Sequence, residues 1–328
     1  MSDWSEIDFD ARDEHASGWA FPEDAALLEL PHGRPFSYSQ YAVHSACGER
    51  YRRDYLEREP RPTGSVITQG GMVHSVVEDT LQKYLDDNYA LPPREFWQDN
   101  ASQKFAEVKQ RIDFWDEAHG AHADAAGAFE DETRNLLDVY LTTRMPELRP
   151  RMIEHQAIGV LNGRVPVVAY IDIVDRVPED ESLGGGGLSD DRIQPTDVIR
   201  DLKVTKANYH WTKTVNSAQL SLYSYLTGTP RVGFDIVTRT KKPKVYAHPV
   251  DVPGGFLVRE AQETQHAIDI MVHRAEMIAQ GIFPKADPDS WACNPKYCPY
   301  FTRCRGRVPM ISIPAGTQSE DPSLKDAS

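Results

Sequence analysis

The feature that most constrains this chain is an aspartate set in an apolar strand. "VVAYIDIVDR" (167–176) carries Asp172 among Val168, Tyr170, Ile171, Ile173 and Val174. A carboxylate there is costly to bury unless charged partners or a metal compensate it. The segment before it, "MIEHQAIGVLNGR" (152–164), reads as a second strand joined to the first at Asn162-Gly163, a strong hairpin signal. A third strand, "VIRDLKVTKA" (198–207), holds Asp201 and Lys203 two residues apart around Leu202. Strand alternation puts Asp201 and Lys203 on one face and Leu202 on the other. Alone, that triplet reads as a surface ion pair of little worth. Beside Asp172 on an adjacent strand it becomes a cluster of charge that needs a purpose.

Helical spacing precedes these strands. Residues 36–58 and 69–89 read as helices, the second opening on Gly70-Gly71 and placing His74 and Glu78 one turn apart. Two more helices are expected over 98–119 and 128–145. After the third strand come a helix over 214–228, two strands around the basic turn "RTKKPK" (239–244), and a long helix over 257–280. The pattern predicts an α/β or α+β core: a mixed central sheet flanked by helices, with a helical insertion at about 90–148. A single domain is expected over 31–308, between an acidic flexible segment at 1–30 and a flexible tail at 309–328. The Gly184–Gly187 run suggests a mobile insertion between the second and third strands.

The chain has 328 residues, 40% of them hydrophobic, and a net charge of -14. That charge argues against nonspecific coating of nucleic acid while leaving room for a local basic groove. No apolar run reaches the roughly 18 residues of a membrane span, and the acidic start lacks the features of a signal peptide, so a cytoplasmic protein with no membrane partner is expected.

Asp172 and Asp201 can converge with His74 from the helix. Two carboxylates and an imidazole suit Mg²⁺ or Mn²⁺, the imidazole favouring Mn²⁺. A neighbouring Lys203 can orient an attacking water and stabilise charge growing on a phosphate. Glu78 is left outside the metal's immediate ligands.

The set His74, Asp172, Asp201-Leu202-Lys203 and Gln219 with Tyr223 resembles the PD-(D/E)XK nuclease superfamily, specifically its RecB-like exonuclease branch, over about 36–305. The resemblance implies a restriction-endonuclease-like core and a metal-dependent deoxyribonuclease. It implies His74, Asp172 and Asp201 as metal ligands, with the Leu202 carbonyl joining them, and Lys203 as the catalytic lysine. Gln219 and Tyr223 then orient the site and contact DNA, either single-stranded or at duplex ends.

The four cysteines are Cys47 alone, then Cys293, Cys298 and Cys304 within "CNPKYCPYFTRC". In a cytosolic chain they read as ligands or free thiols rather than disulfides, and soft thiolates select an iron–sulfur cluster or zinc. The resembled branch, which includes CRISPR-associated RecB-like exonucleases and AddB-type nuclease domains, binds a [4Fe-4S] cluster through one cysteine before the core and three after it. That implies a [4Fe-4S] cluster on these four residues. Their first spacing, C-x4-C where the family more often shows C-x2-C, keeps Zn²⁺ open as the alternative.

The expected function is hydrolysis of phosphodiester bonds at DNA ends or in single strands, in recombination, repair or phage and plasmid DNA processing, with room for a recombination or helicase partner. A catalytically idle DNA-binding scaffold is the alternative. The "RTKKPK" turn, with Arg239, Lys241, Lys242 and Lys244, is a solvated hairpin tip or a contact for DNA phosphates.

Overall fold

The computed structural model describes residues 21, 26–176, 193, 194, 196–295 and 297–305. The Gly184–Gly187 run, the tail from 309, and the acidic start apart from residues 21 and 26–30 lie outside the described residues. Helices come first: α1 (Tyr38–Ala46), α2 (Gly48–Tyr51) leading into a π turn, α3 (Ser65–Asp86), α4 (Arg94–Val108), the single turn α5 (Glu117–Gly120), and α6 (Ala125–Thr143). The hairpin β1 (Pro150–Leu161) and β2 (Val165–Arg176) follows, then β3 (Asp197–Thr205), α7 (Trp211–Val215), α8 (Ala218–Thr227), β4 (Arg231–Thr238), β5 (Val245–His248), β6 (Leu257–Val258), α9 (Ala261–Ala279) and α10 (Phe301–Arg305).

The strands form one mixed sheet in the order β1-β2-β3-β4-β5, with β6 against the start of β4. β3 and β4 are parallel and the other pairs antiparallel, so α7 and α8 supply the crossover. One face of the sheet packs on α1, α8 and α9, through residues such as Val43, Leu220, Leu226, Ile268 and Met271. The other packs on α3, α4 and α6, through Val73, Val77, Trp97, Phe129 and Leu137. The architecture is the mixed sheet flanked by helices that the sequence predicts. The 90–148 block forms, with α3, the whole helical layer on one face.

Several boundaries differ from the sequence reading, each for a tertiary reason. The expected helix over 36–58 breaks at Cys47, whose backbone is extended. Gly48 lies so close to the chain at Phe283 that a Cβ would stand 2.7 Å from backbone atoms there, and its N–H donates to Pro284 O at 2.7 Å. The second helix begins at Ser65 rather than at Gly70, because Asp116, fifty residues on, accepts the Val66 N–H at 2.8 Å and Ser65 Oγ pairs with His119 Nδ1 at 2.7 Å. The expected helices over 98–119 and 128–145 are Arg94–Val108 and Ala125–Thr143, with the short α5 between. The expected 257–280 helix gives up its first residues to β6. The Asn162-Gly163 turn is as expected, with both residues at positive φ.

A buried ionic network pins the strands that carry the site. Arg200 donates to Asp175 Oδ2 at 2.8 Å and to the carbonyls of Gly254 and Gly255. Asp235 on β4 accepts from Arg144 Nε and Tyr140 Oη, each at 3.1 Å, and lies 3.7 Å from Arg200. The network ties β2, β3, β4 and α6 together immediately behind Asp201. Removing one partner of such a cluster strands a buried charge, at a cost of about 3–5 kcal/mol.

Candidate active site

The site opens where two strands part. The β2–β3 ladder runs from Arg176↔Asp197 to Ile173↔Arg200 and stops there. The next residues on each side are Asp172 and Asp201. Asp172 Oδ2 then accepts the Leu202 N–H at 2.7 Å, so a side chain takes the place of the missing ladder carbonyl.

Both strands of the β1–β2 hairpin also change face here. Ala169 and Ile171 belong to the core against α8 and α9, whereas Ile173, two residues on, belongs to the core against α3 and α6. Strict alternation would keep all three on one face. On β1 the pairs Ile153↔Ile173 and His155↔Ile171 set Glu154 opposite Asp172. Glu154 takes φ +48°, a left-handed conformation that costs an ordinary residue roughly 1–2 kcal/mol. The local departure from a regular strand coincides with the two carboxylates facing each other.

α3 supplies the third group. Its apolar stripe, including Met72, Val73, Val76 and Val77, packs on the sheet and carries His74 to the strand opening. His74 Nδ1 lies 3.4 Å from Asp172 Oδ2. One ligand atom each from His74, Glu154 and Asp172 lies within 4.8 Å of the others. Glu78 is not in this trio.

Asp201 sits beside it, 2% exposed. Lys203 Nζ is 2.7 Å from Asp201 Oδ2, an ion pair in which that oxygen accepts no well-aligned hydrogen bond. Asp201 Oδ1 accepts from Gln219 Nε2 at 2.7 Å and from Tyr223 Oη at 3.3 Å, and Gln219 also reaches Tyr223 Oη at 2.8 Å. α8 presents this pair in fixed register, since Ser217 caps its start and Gly228, at φ 71°, ends it. Burial pushes the Asp201 carboxyl up to about 6; Lys203 pulls it down and the neighbouring Asp172 charge raises it. Burial and the Asp201 charge hold the Tyr223 hydroxyl far above its ordinary value, so it stays protonated and donates.

A helix imidazole, a strand aspartate, an acid-x-lysine strand and a glutamine–tyrosine pair thus meet at one strand opening, and the sequence matches the PD-(D/E)XK nuclease superfamily over residues 35–305. The chain belongs to the PD-(D/E)XK nuclease superfamily. In three dimensions it is similar to the crystal structure of a protein from Eubacterium rectale described as a candidate exonuclease, at 14% identity, covering 84% of this chain and 93% of that one with a TM-score of 0.44. No curated protein matches the sequence.

The structure brings together His74, Asp172, Asp201, Lys203, Gln219 and Tyr223. Leu202 buries its side chain in the helical core and donates its N–H to Asp172; the carbonyl that the resemblance implies as a metal ligand is a separate group of the same residue. Glu154 is the residue that sequence reasoning missed. Its signal was available by counting: Leu161 pairs with Val165 at the hairpin end, and seven residues back along each strand are Glu154 and Asp172. One imidazole nitrogen with several carboxylate oxygens, including the Asp201 oxygen that lacks an aligned donor, is a donor set that fits Mg²⁺ or Mn²⁺.

The four cysteines gather at one end of the fold. Ala286 N–H donates to Cys47 Sγ at 3.4 Å and Arg305 Nε to Cys293 Sγ at 3.1 Å. Burial pushes the Cys298 thiol up; the Tyr300 backbone and Arg50 oppose this, and the nearby Cys47 and Cys304 thiols add to it. Tyr300 Oη to Asp54 Oδ1 at 2.6 Å and Arg303 to Glu59 at 2.6 Å bind the same two chain ends together.

The basic turn lies near the end of the sheet that holds the candidate site. β3 and β4 run parallel to the pair Thr205↔Thr238, and Arg239 N–H donates to Thr205 O. The exposed Lys206, Lys241, Lys242 and Lys244 therefore leave the sheet from the end towards which Lys203 lies. Among the described residues no helix is long and apolar enough to cross a membrane.

Proposed function

We propose that the protein is a metal-dependent deoxyribonuclease, acting as an exonuclease on DNA ends or single strands in the cytoplasm, in recombination, repair or the processing of phage or plasmid DNA. The observation that carries this reading is the convergence of His74, Glu154 and Asp172 within 4.8 Å beside the Asp201–Lys203 ion pair. A divalent cation held by these side chains and Asp201 would supply an activated water and positive charge for the phosphate. Lys203, 2.7 Å from Asp201, would orient an attacking water and stabilise negative charge developing on the phosphate oxygens. Gln219 and Tyr223 hold Asp201 Oδ1, which leaves Oδ2 for the metal and Lys203.

The cysteines hold a [4Fe-4S] cluster in this reading. Four thiolates are soft ligands that select an iron–sulfur cluster or zinc, and the resembled arrangement of one cysteine before the core and three after it favours the cluster. The cluster would fasten α1 and the C-terminal segment, remote from the chemistry.

The test is digestion of end-labelled single- and double-stranded DNA with Mn²⁺ or Mg²⁺, with product lengths read over time. Mononucleotides and short products released progressively from an end are expected. Protein that binds DNA with either metal and never cuts it would be the idle scaffold instead.

A further inference from the structure

We propose that Trp211 is a stacking platform for a base of single-stranded DNA entering the site, an inference that rests on the nuclease reading above and specifies its substrate. Trp211 is 55% exposed and opens α7, the short helix within the connection that leaves β3 two residues after Lys203 and returns at α8 with Gln219 and Tyr223. Both ends of the loop are therefore fixed to the active site.

A run of aromatic and basic side chains connects the two places. Lys203 Nζ lies 5.9 Å from the centroid of the Phe234 ring. Phe234 meets Tyr209 edge-on at 5.7 Å, and Lys213 Nζ stands 3.5 Å over the Tyr209 ring. The exposed His210 ring lies 5.7 Å from Trp211, tilted by 40°. Exposed Lys206 begins the same loop. Phe234 is buried and forms the inner link of this run, so the surfaces offered to a strand are the exposed His210 and Trp211 rings with Lys206 and Lys213 near them, rings for bases and cations for phosphates. Inside a duplex the bases are already stacked on each other, and only the terminal pair has a free face, so a single strand offers a protruding ring far more stacking sites.

The loop is held rigidly even though its largest apolar group faces water. Buried His248 donates from Nε2 to Tyr209 O at 2.9 Å and pairs through Nδ1 with the Thr214 hydroxyl. Buried Arg259 donates to Thr214 O at 3.4 Å and Val215 O at 3.0 Å. Two buried side chains from elsewhere thus fix the backbone on both sides of Trp211. A ring presented in this way loses little freedom on binding, which is the advantage of a preorganised site.

The experiment measures binding of labelled oligothymidylate and of a blunt duplex by fluorescence anisotropy, with the full chain and Ca²⁺ in place of Mg²⁺. Trp211→Ala is expected to weaken single-strand binding about five- to tenfold, the low end of one base–aromatic stack, and to leave duplex binding unchanged. Trp211→Phe, which keeps an aromatic face, should bind nearly as wild type. An abasic residue moved along the oligonucleotide should weaken wild type at one position and have no such position in Trp211→Ala. Equal binding of the single strand by Trp211→Ala and wild type, or equal losses on single strand and duplex, would overturn the proposal. Cleavage by wild type with Mn²⁺, run in parallel, separates the two readings. Protein that shows the expected binding pattern and cuts nothing sinks the nuclease and keeps the platform; protein that cuts while Trp211→Ala binds normally does the reverse.

Discussion

The Leu202 N–H donates to Asp172 Oδ2 across 2.7 Å at the point where β2 and β3 stop pairing. One carboxylate therefore closes the ladder and faces the His74 imidazole at 3.4 Å. The two duties can be separated. Asp172→Ala leaves a buried N–H without a partner and should cost about 1–3 kcal/mol of stability as well as activity. Asp172→Asn keeps an acceptor oxygen and should melt within a few degrees of wild type, yet bind Mn²⁺ poorly and lose cleavage. Thermal melts and end-labelled digestion, run on both variants, read the difference; cleavage by Asp172→Asn at wild-type rate would remove Asp172 from the metal site.

Half-buried Lys203 and buried Asp201 lie against each other at the opening of the strands, outside the apolar clusters that hold the sheet to its helices. Asp201→Ala or Lys203→Ala should lower cleavage by on the order of 100-fold or more, since each removes charge placed for the transition state. The far-ultraviolet circular dichroism should be unchanged. Either variant cutting DNA like wild type ends its catalytic assignment.

The raised Asp201 carboxyl gives a pH dependence with a definite sign. Its value in the folded metal-free protein is about 6, above the ordinary aspartate value near 4. Between those values the folded chain holds a proton that the unfolded chain has released, so metal-free stability falls as pH rises through that window. Binding of a cation by Asp201 requires the proton to leave, so Mn²⁺ affinity should fall as pH drops below about 6, with proton release on binding above that of an ordinary carboxylate site. Calorimetric titration of Mn²⁺ in buffers of different ionisation enthalpy measures the protons released; none at pH 5.5 would contradict the assignment.

Much of the site was legible because local rules sufficed for it. Asn162-Gly163 announces a hairpin, an apolar run around Asp172 announces burial, and alternation sets Asp201 beside Lys203. Glu154 was harder, since it acquires meaning only from the hairpin register and from a left-handed backbone that no propensity marks. The break at Cys47 was illegible because Gly48 is shaped by Phe283, more than two hundred residues away. The early start of α3 depends likewise on Asp116 and His119. The Arg200–Asp175 pair behind the site is buried by packing that only the assembled sheet creates.

The cysteines make a joint prediction. If Cys47, Cys293, Cys298 and Cys304 share one cofactor, replacing any one by Ser should lose metal and destabilise the protein to a similar degree, because an incomplete tetrathiolate binds poorly. Anaerobically purified protein should be brown, with iron and acid-labile sulfide in equal amounts. A colourless preparation carrying one zinc per chain would select the other cofactor, and Cys47→Ser with unchanged metal content would remove Cys47 from the site.

The basic turn gives the last test. An acidic chain that binds DNA must concentrate positive charge along the substrate path, and Lys241, Lys242 and Lys244 are exposed on a turn tied to the end of β3 by the Arg239–Thr205 hydrogen bond. Each phosphate contact releases counterions, so binding weakens with salt in proportion to the number of contacts. Replacing the three lysines together by Ala should weaken DNA binding and flatten its salt dependence by up to about three contacts' worth of slope. Turnover of DNA already bound should change little, because His74, Asp172, Asp201 and Lys203 are untouched, so the loss belongs in KM rather than kcat. A salt series of binding isotherms decides it. An unchanged slope and affinity would make the turn a solvated hairpin tip, and would leave the DNA path to Lys206, Lys213 and the loop that carries Trp211.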